Sequence, residues 1–571
     1  MKVQKINNKF RKFGEFQIRN RWLLIAISVI FAAVGMAGLK HLTPHNSRES
    51  WFEDGEQIKI NTDKFEAQFG NNENILVVVE AEDVFDPEVL QMMRDLGNEL
   101  LDSIPYADEV TSLVDMEISV GTEEGIQVIN PFENGIPTNP AELDSIRQLV
   151  LSRRALAKIV SGDCTEALMV LSLTEFPPEE EWSKETKLDP MFQVGEPAIR
   201  IITSDRYKSD KYELKPAGMC YTETEERDFF GPEMGKRVGI IFLSMLILLI
   251  IMIRSFKGVL APVFTILVSG TTVFGFMGWL GIGFEQSMVM LPALLLIALS
   301  VAYSIHLTNA FKRFFRETGK RKESAIMAVE ETGWPLLFTA ITTIGSVISF
   351  ATVGIPTITW VGMSCGAVVF ANWLFVIILL PIILSFGKDR PTEKSAPTKQ
   401  NRWLDRILLV MGNWVVRRKN SILITYTLVV VLLVPALFRV YVDMDMFNAM
   451  GQKVPYLKRV YEITQSQLGS YVSYNVSIDF NEEGAVKSPE VLKNLDILVD
   501  SISNFELTKK VKNNSSVFSI LDIIKEMNQT LHSDSAEYYR IPDTREEVAQ
   551  ILLLYEMSGG TKSFNWIDED Y

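Results

Sequence analysis

The sequence predicts a polytopic α-helical membrane protein with about seven spans and two extracytoplasmic α+β domains. Three observations predict it. Apolar stretches long enough to cross a bilayer, about 20 residues each, recur along the chain. Lys and Arg collect in alternate connecting segments. Two long polar segments follow the first and the seventh span. The 571 residues are 47% hydrophobic and 22% charged, which excludes a disordered chain, a collagen-like chain and a disulfide-dense scaffold. The formal net charge of −15 argues against a nucleic-acid partner.

Each element follows in order. Residues 1–21 carry Lys2, Lys5, Lys9, Arg11, Lys12, Arg19 and Arg21 against Glu15, so this end is expected in the cytoplasm. The first span, 22–39, reads as an uncleaved anchor, because its apolar run is long for a signal peptide. Residues 40–237 are the first extracytoplasmic domain; between Lys40 and Met234, 41 acids stand against 17 bases. Spans two to six fill 238–386, at about Val238–Ile253, Gly258–Leu280, Ser287–Thr308, Trp334–Val353 and Ile358–Phe386. The basic connections Arg254–Lys257 and Lys312–Gly333 are expected inside.

Residues 387–420 form a basic cytoplasmic linker. Within it Trp403, Leu404, Ile407, Leu408, Met411, Trp414 and Val415 fall at helical spacing, opposite Arg402, Asp405 and Arg406. This predicts a helix lying on the inner membrane surface. Phe10, Phe13 and Phe16 are a weaker version ahead of the first span. The seventh span is 421–438, and 439–571 is the second extracytoplasmic domain.

The chain repeats itself at an offset of about 400 residues. Ile18-Arg-Asn-Arg-Trp22 leads into the first span and Val416-Arg-Arg-Lys-Asn420 into the seventh. Phe69-Gly70 precedes an expected strand at Ile75–Glu80, and Leu468-Gly469 another at Val472–Phe480. Pro87-Glu-Val-Leu90 and Pro489-Glu-Val-Leu492 each open a helix. Val110–Asp115 and Val517–Asp522 then match, and further helices follow at Ala141–Val160 and Thr544–Met557. Each external domain therefore reads strand–helix–strand–helix–strand. The second copy stops before any bundle of its own, so the second half reads as incomplete.

Chemistry-bearing residues are few. Span four holds Ser300, Tyr303 and His306 at three-residue spacing, which suggests a shared face. A histidine in a membrane helix either handles protons or substrate, or makes a structural hydrogen bond. Span five carries Thr339, Thr342, Thr343, Ser346 and Ser349, placed to hydrogen-bond across to span four or to serve as packing glue. Glu285 is expected as a solvated loop acid at the outer mouth. Cys164 and Cys220 are both external, where a disulfide is open to them, and Cys365 is expected as a small packing residue. No phosphate loop, His/Cys metal cluster or Ser–His–Asp pattern stands out. Neither an enzyme nor a cofactor is expected.

These residues carry a family resemblance. Ala302-Tyr-Ser-Ile-His-Leu307, running on to Phe311 and Arg313, is similar to the Asp-Tyr-x-Ile-His-Leu segment of resistance–nodulation–division (RND) transporters. Thr339-Ala-Ile-Thr-Thr-Ile-Gly-Ser346 resembles their Thr-Ser-Leu-Thr-Thr signature, and Glu323-Ser-Ala325 with Gly333-Trp-Pro335 fits their amphipathic connector. The chain resembles the MMPL-like, hydrophobe-exporting branch, whose five-helix bundle is shared with Patched-type sterol-sensing proteins.

The resemblance implies the RND fold, with twelve spans and two porter domains of ferredoxin-like form. It also implies proton-driven export of a lipid-like or hydrophobic compound from a bacterial inner membrane. The family's span-four Asp is Ala302 here, which cannot titrate. A relay in this half would rest on Tyr303 and His306, with Ser300, Thr339, Thr342, Thr343 and Ser346 along the path. Spans eight to twelve would come from a second polypeptide, or the chain would work as a homo-oligomer. Three other readings stay open. One is a lipid-sensing or scaffold protein that does not pump, one an accessory to secretion, and one a non-functional fragment.

Overall fold

The computed structural model describes residues 2–45, 51–53, 55–69, 73–122, 125–153, 155–177, 182, 188–253, 255–285, 287–389, 402–440, 454–468, 475–480, 482–505, 508, 517–557 and 567. In chain order the helices are α1 (Lys2–Arg19), α2 (Arg21–Gly38), α3 (Gln57–Phe69), α4 (Pro87–Ser103), α5 (Pro140–Ser152), α6 (Pro190–Ile202), α7 (Met219–Ile253), α8 (Phe256–Trp279) and α9 (Met290–Thr318). They continue as α10 (Arg321–Ile348), α11 (Pro356–Ser385), α12 (Arg402–Arg417), α13 (Lys419–Leu437), α14 (Pro455–Gln465), α15 (Pro489–Ser503), α16 (Ile520–Leu531) and α17 (Arg545–Met557). The strands are β1 (Pro44–His45), β2 (Asn74–Ala81), β3 (Ala107–Thr111), β4 (Ile118–Thr122), β5 (Gly125–Ile129), β6 (Glu166–Leu173), β7 (Tyr212–Ala217) and β8 (Phe284–Glu285). Contacts divide the chain into two units, Met1–Lys59 with Met234–Asp443 and Ile60–Glu233 with Met444–Tyr571.

The first unit holds the apolar helices. Among the described residues seven helices are long and apolar enough to cross a membrane: Arg21–His41, Met219–Ile251, Gly258–Trp279, Met290–Thr318, Arg321–Thr352, Pro356–Ser385 and Lys419–Leu437. Glycine decides how α2 meets α8. A Cβ added at Gly35 or Gly38 would lie 2.2 or 2.0 Å from the carbonyl oxygen of Thr271 or Gly275. A Cβ at Gly275 or Gly278 would lie 1.9 or 2.2 Å from the carbonyl oxygen of Gly35 or Gly38. Backbones this close exclude any side chain. The Trp279 indole N–H then donates to the Val34 carbonyl at 3.0 Å.

The basic stretch 312–333 is not the connection the sequence suggested. α9 runs on to Thr318 and α10 starts at Arg321, so most of the stretch is helix. Gly319 closes α9 with φ 69°, a left-handed cap that a Cβ would strain. Arg313 pairs with Glu331 across the two helices, and Lys312 donates to the Ile253 carbonyl at the end of α7. The amphipathic α1 is likewise a packed element. Gly333 leaves room for the Phe10 ring, Gly14 rests on Ile326, and Arg11 meets Glu330 at 3.1 Å. The Gln17 amide donates to the Ile377 carbonyl of α11 at 2.9 Å. Of the phenylalanines expected at a membrane surface, Phe10 therefore faces protein, whereas Phe16 is exposed.

The second unit is built on a four-stranded antiparallel sheet of order β3-β6-β2-β7. Helix α4 connects β2 to β3, and α6 connects β6 to β7. The hairpin β4–β5 and α5 are inserted between β3 and β6. Asp86, Asn139 and Asp189 each precede a proline and cap α4, α5 and α6 by accepting a backbone N–H two residues on. Each such cap contributes about 1 kcal/mol, and proline fits the first helical position.

The run Ile75–Val79 is almost continuously apolar because both faces of the sheet are covered. Ile75, Val77, Val79, Met169 and Leu171 pack with Leu90, Met93 and Leu96 of α4 and Val194 and Ala198 of α6. Val78, Leu168 and Ala217 on the other face meet Ile463 and Leu468 from the second polar segment. Arg459 of α14 ties that segment down. Its guanidinium reaches the Pro216 carbonyl at 2.8 Å and Glu225 at 3.0 Å.

Two expected strands of the second copy need correction. Residues 475–480 form no ladder, and 469–474 lie outside the described residues. Val517–Asp522 is not a strand but the entrance to α16. The Ser519 side chain and Asp522 make a reciprocal capping box that starts a helix there. Among the described residues 454–557 the segment is helical, without the strand–helix alternation of the first copy.

Candidate functional site

The residues expected to carry transport chemistry lie on α9 and α10, packed with α8 and α11. Ser300 and Tyr303 point into the bundle. Ser300 is fully buried and its hydroxyl lies 3.2 Å from that of Thr265 on α8. Thr265 also donates to the Pro262 carbonyl at 2.8 Å, and Ser269 donates to the Thr265 carbonyl at 2.7 Å. The Tyr303 ring is buried among Ala261, Leu307, Phe311, Val376 and Leu380.

His306 does not share their face. It is exposed, and so are Ala302 and Asn309. The reason is angular. Three residues of helix turn about 300°, so Ser300, Tyr303 and His306 step around the helix by about 60° each time, from inside to outside. Residues 302, 306 and 309 instead stay within about 60° of one another. The position of Ala302 thus looks outward with His306, while Tyr303 beside it looks inward.

The hydroxyl stripe of α10 does not bond across to α9 through any contact seen here. Thr339 donates to the Pro335 carbonyl at 2.9 Å, Thr342 to Phe338 at 3.0 Å and Thr343 to Thr339 at 2.8 Å, all in their own helix. Ser349 donates to the Ser346 carbonyl at 2.6 Å. A hydroxyl in an apolar helix satisfies itself on the preceding turn when no partner is offered. Thr339, Thr342 and Ser346 are exposed and Thr343 is half-buried. Both α9 and α10 therefore leave polar side chains on outward surfaces that are otherwise apolar.

Sequence reasoning missed Asn372. It is fully buried in α11, on the stripe Val368, Asn372, Val376 and Leu380 that adjoins the Tyr303 cluster. Its amide finds no hydrogen-bond partner among the described residues, nor do the hydroxyls of Tyr303, Ser304 and Thr308. A lone amide inside a 30-residue apolar helix was a legible signal. Glu285, expected in solvent, is 4% exposed in β8, whose backbone pairs with β1. The three cysteines are buried and none is in a disulfide, so Cys164 and Cys220 are not joined here. Cys220 lies in the first turn of α7.

The comparison with protein families falls on this part of the molecule. The model of the MMPL family matches residues 198–416. The similarity is to this segment, about two fifths of the chain. The match takes in α7 to α11, with the end of α6 and β7 before them and nearly all of α12 after them. The chain is also similar to a Methanocaldococcus jannaschii protein described as a membrane protein. The two are 22% identical over 399 residues, which is 67% of this chain and 94% of the relative. The resemblance to RND transporters read from Ala302–Leu307 and Thr339–Ser346 thus lies inside the matched segment, on α9 and α10.

Proposed function

We propose that this chain is an RND-type secondary transporter subunit that exports a lipid-like or hydrophobic compound, with protons as the driving ion. The observation that carries the reading is the MMPL match over 198–416, which spans the whole bundle. The bundle, 238–386, sits in the plasma membrane, the inner membrane of a bacterium, with the basic N-terminus inside. Residues 40–237 and 439–571 are porter domains on the outer side. The order β3-β6-β2-β7, with one helix in each half, supports a ferredoxin-like reading of the first. The linker 387–420 brings α12 to the inner surface, where exposed Leu409, Met411 and Trp414 suit a lipid interface.

The polar groups exposed on α9 and α10 are costly against lipid. That supports further spans covering His306, Asn309, Thr339 and Thr342, from a second copy or a second polypeptide. His306 is then the relay residue on this side of the joint, and a partner helix supplies the carboxylate that Ala302 lacks. Proteoliposomes carrying a fluorescent lipid analogue and a pH gradient test the reading. Wild type should move the analogue outward, and His306→Ala should lose at least tenfold in rate with its fold intact. Full rate in His306→Ala removes the residue from the relay. A second reading, a lipid-sensing scaffold, is favoured by Ala302. It wins if the wild-type protein binds the analogue but the gradient drives no transport.

A further inference from the structure

In the sheet unit, α16 is held to the first polar segment by a charged seam. α16 lies on the hairpin β4–β5, where a Cβ at Gly121 would come 2.5 Å from the Thr530 carbonyl oxygen. The Thr530 hydroxyl meets the Ser119 carbonyl at 3.4 Å. Arg153, its side chain 2% exposed, pairs with Asp534 at 2.6 Å. Lys158 pairs with Asp522 at 2.6 Å, donates to the Val517 carbonyl and lies 5.0 Å from the Phe518 ring centre. Glu526 sits one turn along α16 from Asp522, on the same face of the helix, and is half-buried.

The charges of this seam do not balance. Asp522, Glu526 and Asp534 oppose Arg153 and Lys158, so the fully ionised seam keeps one excess negative charge. One proton on Glu526 removes it. We propose that this seam is a proton-binding site, and that its proton sets how tightly α16 grips the first polar segment. Burial pushes the Glu526 carboxyl up to about 7, with Arg153 opposing the shift and Asp522 and Asp534 adding to it. Tyr555 of α17 is influenced by the same carboxyl, its own hydroxyl being pushed up to about 12 by burial and by Glu117, Glu526 and Glu109.

The sign follows from linkage. A carboxyl raised from 4.5 to about 7 on docking holds its proton more tightly docked than free. Docking is then strongest in acid, weakens as the pH rises from the free value, and levels off above the docked one. In the cell, acid on the outer side would tighten the grip. That placement rests on the topology proposed above, whereas the pH-dependence itself does not.

Hydrogen exchange of the full chain in detergent, corrected for intrinsic rates, tests it at pH 5.5 and 8, with α6 as the internal reference. Protection of residues 520–531 should fall on the order of tenfold across this range in wild type. In Glu526→Gln, a permanent mimic of the protonated carboxyl, it should stay high and flat. Asp534→Asn is the second variant. It frees Arg153 to stabilise the Glu526 carboxylate, so the transition should move to lower pH. An unchanged wild-type profile in Glu526→Gln overturns the proposal, as does wild-type α16 tracking α6 or an upward move in Asp534→Asn. The assay uses no substrate, so its failure leaves the transporter reading standing, and failed transport leaves the seam standing.

Discussion

The helices α2 and α13 hold matching places in the repeat read from the sequence, and they behave differently. Both are apolar, similar in length and preceded by an amphipathic helix, α1 and α12. α2 lies along α8 with Ser28, Gly35 and Gly38 buried. No described residue of α13 is buried. The difference lies in side-chain volume. α2 ends in Gly-Met-Ala-Gly, whose two glycines present bare backbone to Gly275 and Gly278. α13 reads Leu-Val-Val-Val-Leu-Leu-Val, with no glycine to admit a neighbour so closely. Both helices are long and apolar enough to cross a membrane, but only close-packing residues make one of them part of a bundle.

Substitutions can break this comparison. Gly275→Leu should do the most damage, because its first carbon would already overlap the Gly35 carbonyl. A loss of about 4 kcal/mol or more is expected, seen as loss of monodisperse protein in detergent. A normal melting profile would mean that α2 does not need this contact.

Gly333→Leu should rank second. It displaces the Phe10 ring rather than backbone, so α1 can swing away at a loss of about 1–3 kcal/mol. Faster proteolysis of the N-terminus, with the rest of the chain resistant, would show it. The smallest effect belongs to α13, where Leu432→Ala should shift stability by no more than about 0.5 kcal/mol. A drop of the size seen for buried leucines, about 2–5 kcal/mol, would show that α13 is packed after all.

Much of the fold was legible from local signals. The seven apolar helices fall within a few residues of their expected places, apart from α7, α9 and α10, which extend well past the apolar run. Polar ends misled there, since Lys312–Glu331 reads as a loop by composition while its residues continue two helices and pair across them. The entrance to α16 was also a local matter. Ser519 with Asp522 is a capping box, and that spacing outweighs the β-like look of Val517-Phe-Ser-Ile-Leu. The covering of the sheet's second face by Ile463 and Leu468 had no local signal, because it joins residues about 300 positions apart in the chain.

The candidate site divides the same way. The sequence by itself determined which residues are polar inside apolar helices, because a hydroxyl, an imidazole or an amide stands out against leucine and valine. It also determined the helices' caps and the alternation of basic ends. Only the tertiary structure decided which way each polar group faces. Ser300 and Tyr303 turn inward to Thr265 and the Tyr303 cluster, His306 turns outward with the position of Ala302, and the α10 hydroxyls bond to their own backbone. The reason is geometric. A side chain's polarity is a property of the residue, whereas its partner depends on the rotation of a helix about its axis, which the packing of the neighbouring helices sets.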